Sequence, residues 1–242
     1  ASCWLIASLC LLVGCQSAPN LSQGNISKVT AALTPAVVES PAVRFAAARN
    51  CKHVGLLLPE MTNVTRWEQR DRPLLERFLA EEISGVRVTY ANANGDADVQ
   101  QSQAGQMLAD GACMLIVAAQ DSVKASTIVQ LAAQRNVPVI AYDRLIHDND
   151  LAFYVSFNNV AAGELQGAWI AEHAPQGAQI AMINGAPTDH SAQLQQVGVM
   201  NRLRTLIEHG DLKLVYELFT PNWNSQLAAS SVTQVLDTHS NN

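Results

Sequence analysis

Met114-Leu-Ile-Val-Ala118 leads into Ser122 to Arg135, which leads into Val137-Pro-Val-Ile-Ala-Tyr142. The two outer runs are short, apolar and rich in β-branched residues. The stretch between them sets its apolar residues three and four positions apart, as an amphipathic helix does. Strand, helix, strand in that order is a βαβ unit with a right-handed crossover and parallel strands. The same alternation extends in both directions. Val54 to Leu58, Val86 to Tyr90 and Phe153 to Phe157 read as further strands, and Arg66 to Glu82 and Asp98 to Ala109 as helices. Leu74, Leu75, Phe78 and Leu79 form one apolar stripe. Repetition of this kind predicts an α/β fold whose parallel sheet is covered by helices on both faces.

After Asn158 the pattern resumes. A helix is expected through His173, a strand at Gln179 to Ile183, a helix at His190 to Glu208, a strand at Leu212 to Leu218 and a helix at Asn224 to Leu236. The body therefore divides into an N-terminal lobe over 52–157 and a C-terminal lobe over 158–242. The second lobe has too few elements to cover both faces of its sheet, and the chain stops in a polar loop, so it reads as C-terminally incomplete.

The 242 residues are 48% apolar and 15% charged, with a net charge of −6. That composition excludes a disordered polymer and a multi-span membrane protein. Lys28, Arg44 and Arg49 against Glu39 make the first fifty residues basic, so the acidic excess lies in the body. An acidic body without a basic stripe argues against nucleic-acid binding.

Trp4 to Val13 is an apolar run too short to span a bilayer but suited to a signal-peptide core. It ends in Leu12-Val-Gly-Cys15, which resembles a bacterial lipobox, so residues 1–15 are expected to form a lipoprotein signal ending at a lipidated Cys15. Residues 16–51 are rich in Ala, Ser, Pro, Gln and Asn and read as a flexible tether. In the body only Cys51 and Cys113 remain. An exported compartment permits a disulfide between them, although sequence fixes no Cα separation.

In open parallel sheets ligands bind beyond the carboxyl ends of the strands, so the residues that follow each strand are the candidates. Arg66 and Trp67 follow the first strand, where Glu68 and Arg72 also make an i, i+4 pair of the kind found on a solvated face. Asp143 and Arg144 follow Tyr142. A carboxylate beside a guanidinium fork suits vicinal hydroxyls, and a local ion pair or helix cap accounts for them equally. Asn184-Gly-Ala-Pro-Thr-Asp189-His-Ser191 runs into a helix, where Asp189 caps it or reaches a ligand. Phe219-Thr-Pro-Asn-Trp223 offers an indole that stacks on a sugar ring or packs in the core.

Catalytic readings fail on spacing. Asp189, His190 and Ser191 are consecutive, so their side chains diverge and cannot relay a proton. There is no G-x-S-x-G, H-E-x-x-H, Walker loop or G-x-G-x-x-G. Asn92, Asn94, Asp96 and Asp98 alternate like a calcium loop, yet Ala97 and Gln103 occupy the positions that need Gly and Glu, and a turn with a helix cap is the better account.

Five motifs carry a resemblance: Thr65-Arg-Trp-Glu-Gln-Arg-Asp-Arg72, Val139-Ile-Ala-Tyr-Asp-Arg144, Phe153-Tyr-Val-Ser-Phe157 with Gly163-Glu-Leu-Gln166, Gly185-Ala-Pro-Thr-Asp189, and Pro221-Asn-Trp223. From about Lys52 onward the chain resembles the type I periplasmic sugar-binding proteins that serve ABC importers, most of all the xylose-binding group. The resemblance implies a two-lobed hinged receptor that closes on a monosaccharide. Arg66, Asp143, Arg144 and Asp189 match positions that bind sugar hydroxyls, and Trp223 and Trp67 match aromatics that flank the ring. The family usually shows Asp-Asn-Asn-Ala where this chain has Asp189-His-Ser-Ala192. Ser191 thus stands where an amide normally contacts the sugar.

The expectation is a monomeric receptor, lipid-anchored outside the cytoplasm, that delivers a xylose-like aldose to permease subunits. It needs no metal or cofactor and performs no catalysis. A receptor that signals to a chemoreceptor or sensor kinase fits the same residues. The effector core of a LacI-like repressor shares the fold, but the lipobox and the lack of a helix-turn-helix oppose it.

Overall fold

A computed structural model of the protein describes residues 40–60, 65–148 and 150–239. The expected signal segment, the expected lipidation site Cys15 and the first part of the expected tether lie outside the described residues.

The first lobe is built on β1 (His53–Leu58), β2 (Arg87–Asn92), β3 (Met114–Val117), β4 (Val139–Tyr142) and β5 (Phe153–Val155). All pair in parallel in the order β2-β1-β3-β4-β5. Because β1 is buried on both faces, its side chains alternate between two cores. Leu57 packs with Met107, Leu115, Val117, Ile128 and Val139. On the opposite face Val54, Leu56 and Leu58 pack with Trp67 and Ile116, under Leu75 and Leu79. Helix α2 (Arg72–Glu82) supplies Leu75 and Leu79, and on the first face α3 (Ala97–Ala109) and α4 (Ser126–Ala133) supply Met107 and Ile128. Asp96 caps α3 by accepting from the backbone N–H groups of Asp98 and Val99 at 2.8 and 3.1 Å, as the turn-and-cap reading expects.

The second lobe comprises α5 (Asn159–His173), β6 (Ala178–Asn184), α6 (His190–Glu208), β7 (Leu212–Phe219) and α7 (Ser225–His239), with β6 and β7 paired in parallel. Met182, Val199, Leu203 and Leu212 form its core. Helices α5 and α6 approach until their backbones touch. A Cβ at Gly163 would lie 2.0 Å from the Gln195 carbonyl oxygen, and one at Gly198 would lie 2.1 Å from that of Val160. Only glycine permits this crossing, which fixes where the N-terminal end of α6 meets the first lobe.

The tether expected through residue 51 is corrected from residue 41 onward. Pro41–Ala47 is a helix, α1, continued by a 3₁₀ turn through Asn50. Arg44 is buried and its guanidinium reaches the Asp150 carboxylate at 2.7 Å, while Phe45 meets Phe153 edge-on at 4.6 Å. These tertiary contacts order a segment whose own composition carries no helical periodicity.

Cys51 and Cys113 are joined by a disulfide, their Cα atoms 5.6 Å apart. Each residue precedes one of two adjacent strands, so the sheet itself brings them together. Closing a loop of 62 residues restricts the unfolded chain by an amount worth ~4 kcal/mol in the loop-entropy account. The double substitution Cys51→Ser with Cys113→Ser should therefore lower stability by about 2–4 kcal/mol in a urea titration, with the slope of the transition reporting any change in the denatured state.

Candidate functional site

The loops after β1, β4, β6 and β7 converge at one end of the two sheets. Their side chains enclose a cavity of about 230 Å³ lined by Arg66, Trp67, Asp143, Arg144, Asp189 and Trp223. This is below the ~300–1,000 Å³ of drug-sized pockets and suits a small ligand.

The floor is a buried ion triad. Arg144 donates from Nη1 and Nη2 to the two carboxylate oxygens of Glu60 at 2.9 and 3.0 Å. Its Nε lies 3.0 Å from Asp189 Oδ2, an ion pair in which the N–H is not aligned for a hydrogen bond. Each carboxylate also takes an indole N–H from its own lobe. Trp67 Nε1 donates to Glu60 Oε2 at 3.0 Å, and Trp223 Nε1 to Asp189 Oδ2 at 3.1 Å. Glu60, Arg144 and Asp189 are each 2% exposed. Burial pushes the Glu60 carboxyl above its ordinary range, while Arg144 and the Trp67 indole pull it back.

Above the floor are groups a ligand can reach. Arg66 is 43% exposed and Asp143 18%. Arg66 donates from Nη2 to Asp143 Oδ1 at 2.9 Å and from Nε to Asp71 Oδ2 at 2.8 Å. Arg66 leads directly into a π-helical turn, Trp67–Asp71, ahead of α2; such turns often mark functional sites because they re-aim side chains. Glu68 holds this turn by accepting from Asn92 Nδ2 at 2.8 Å, from the Tyr90 hydroxyl, and from Arg72 Nη1 at 3.3 Å. The i, i+4 pair and the cleft-facing Arg66 therefore coexist on one segment.

Asp143 and Trp223 both have left-handed backbones, with φ of 63° and 53°. That conformation is uncommon away from glycine and persists only where surrounding contacts enforce it. Trp223 is held by its short 3₁₀ turn and by Gly185, over which the indole lies flat. A Cβ at Gly185 would come within 2.2 Å of the ring.

Six of the seven residues expected at the site line this cavity, and Ser191 does not. Its Oγ instead donates to the Asp143 carbonyl oxygen at 3.2 Å. Of the two roles considered for Asp189 the structure shows the cap, since Oδ1 accepts the Ser191 N–H at 2.9 Å, while Oδ2 is taken up by Arg144 and Trp223. Trp67 is 1% exposed, so it forms a wall below the cavity more than a free stacking face. Sequence reasoning missed Glu60. Its signal was its place, since Leu58-Pro59-Glu60 directly follows β1 as the other site residues follow their strands. A larger recess of about 330 Å³ lies between β6 and α6, lined by Ile170, Ile180, Met182, Val199 and Leu203 among others. It carries no charged side chain, its polar lining being the amides of Gln166, Asn184, Gln195 and Gln196.

Removing one member of a buried ion pair leaves the others uncompensated. Glu60→Ala should cost about 3–5 kcal/mol of folding stability by thermal or urea denaturation.

A family model described as a periplasmic binding protein domain matches residues 54–242. The chain is 31% identical over 188 residues to the D-xylose-binding periplasmic protein of Escherichia coli (strain K12), covering 78% of this chain and 56% of that protein. It is 33% identical over 189 residues to the protein of the same description in Haemophilus influenzae, covering 78% and 55%. A crystal structure of an ABC transporter solute-binding protein from Clostridium phytofermentans with bound β-D-glucose superposes with a TM-score of 0.71 at 26% identity, covering 78% of this chain and 60% of that one. The chain spans about half the length of the curated relatives it matches.

Proposed function

Because the chain belongs to the periplasmic binding proteins, among the type I sugar-binding members, we propose that it is the solute receptor of an ABC importer and captures a neutral, xylose-like aldose between its two lobes. The observation that carries this reading is the convergence, on one small cavity, of an indole from the second lobe and a charged pair from the first. Trp223 presents an apolar face to the C–H side of a pyranose. Asp143 accepts from sugar hydroxyls and Arg66 donates to them, and such charge-assisted bonds are the strong ones. Glu60, Arg144 and Asp189, already paired below, hold the walls in place.

The charges around the cavity favour a neutral ligand over an acidic one. Four carboxylates (Glu60, Asp71, Asp143 and Asp189) face two guanidiniums (Arg66 and Arg144). A sugar acid or sugar phosphate would add negative charge to this excess and gain no free cation. Closure of the lobes is driven by the ligand's greater affinity for the closed state. On this reading the receptor captures the sugar and releases it unchanged. The Cys51–Cys113 disulfide supports an oxidising, exported compartment. Lipid on Cys15 would then hold the receptor at a bacterial membrane as a monomer beside its permease.

Calorimetric titration with xylose, ribose, arabinose, glucose and galactose tests the reading. One aldose should bind at micromolar affinity or better and be recovered unchanged, whereas glucuronate and glucose 6-phosphate should not bind. Asp143→Ala should weaken that binding by at least ~2 kcal/mol, because a charged acceptor for the sugar hydroxyls is lost. Equal affinity in the variant would remove Asp143 from the site.

A further inference from the structure

Asp143 carries the carboxylate at the mouth of the cleft, and its main chain is held at both polar atoms. The Asp143 N–H donates to the Val155 carbonyl at 2.8 Å. Its carbonyl oxygen accepts from three hydroxyls: Ser156 Oγ at 2.7 Å, Ser191 Oγ at 3.2 Å and Tyr154 at 3.4 Å. Tyr154 and Ser156 belong to β5 and the segment just beyond it. Ser191 comes from the first turn of α6, in the other lobe.

A second route from α6 ends at the same oxygen. Gln195 donates to Asn159 Oδ1 at 3.1 Å, Asn159 donates to Ser156 Oγ at 3.4 Å, and Ser156 donates onward to Asp143. Ser191 and Asn159 are both 7% exposed, so water competes poorly for these bonds. The contacts converge on a residue with a positive φ, a conformation that only enforced surroundings maintain. Among the other direct bonds that cross between the lobes nearby are two at Ser122, whose N–H donates to the Thr188 carbonyl at 2.9 Å and whose Oγ accepts from the His190 N–H at 3.1 Å. Neither reaches Asp143.

We propose that Ser191 is a positioning residue: docking of α6 places its hydroxyl on the Asp143 carbonyl, and this bond fixes the aim of the Asp143 carboxylate into the cleft. Closure of the second lobe and rigidity of the sugar contact are thereby coupled at the Asp143 carbonyl, with Ser191 as the direct link from α6. The ligand part of this inference rests on the sugar-capture reading above; the cross-lobe bond itself does not.

The test compares the full chain with Ser191→Ala, Ser191→Thr, Asp143→Ala and the Ser191→Ala/Asp143→Ala double variant, using the aldose panel above. Ser191→Ala should weaken binding about three- to tenfold, the range spanned by one net hydrogen bond, chiefly through faster dissociation. Ser191→Thr, which keeps the hydroxyl, should restore most of the loss. In the Asp143→Ala background, Ser191→Ala should have little further effect, since no carboxylate remains to be aimed. Unchanged affinity and dissociation in Ser191→Ala, additivity with Asp143→Ala, or an equal loss in Ser191→Thr would each overturn the proposal. The distance between dyes at exposed Arg135 and Arg204, measured without sugar, separates this proposal from the sugar reading. If the unsubstituted chain binds no aldose, the sugar reading fails. Ser191 then stands as a cross-lobe clamp if Ser191→Ala widens that distance, and falls if the distance is unchanged.

Discussion

Everything at the cleft depends on one buried guanidinium. Arg144 sits between Glu60 of the first lobe and Asp189 of the second, almost without solvent. An isolated buried cation is costly, and its neutralisation from two sides ties the lobes to each other through charge. The arrangement is repeated on either side, because each carboxylate also receives an indole N–H, from Trp67 or from Trp223. The two indoles are therefore oriented by the same triad that joins the lobes. Ionic pairing of this kind adds less to stability than apolar packing of equal volume, and its value lies in defining one geometry.

From that floor the remaining constraints follow upward. Trp223 can lie flat only because Gly185 has no side chain to meet it. Arg66 reaches Asp143 because a π turn, held by Glu68 against Asn92 and Tyr90, re-aims the start of the helical segment. The crossing of α5 and α6 at Gly163 and Gly198 sets where Asp189 and Ser191 arrive. Rigid elements thus present a small number of polar groups to a small space, which is the requirement for discriminating among polyols that differ in the placement of single hydroxyls.

Much of this was legible in the chain because parallel strands are buried on both faces and read as unbroken apolar runs. β1, β3 and β6 begin and end within two residues of their expected positions. The rule that ligands gather beyond the carboxyl ends of such strands then singled out Arg66, Trp67, Asp143, Arg144, Asp189 and Trp223, which the fold brings to one cavity. Other features had no local signal. Helix α1 is seven residues long, and the burial of Arg44 against Asp150 comes from tertiary contact. The π turn has no hydrophobic period that separates it from an α-helix. Ser191 was expected in the cleft by analogy of position, but a serine hydroxyl is too short to behave as the amide it replaces and finds the Asp143 carbonyl instead. Glu60 was overlooked because a lone acid after Pro59 reads as a solvated loop until its partner, 84 positions away, is seen.

The central claim is that an aldose is held against Trp223, above the Arg144 triad. It is tested most directly by following the indole N–H resonances of the protein as xylose, ribose, arabinose, glucose and galactose are added. The account predicts that one sugar shifts the Trp223 signal, and that of Trp67 beneath the cavity, in a saturable manner while exposed Trp169 on α5 stays fixed. Saturable binding that leaves Trp223 and Trp67 unmoved would place the ligand elsewhere and contradict it.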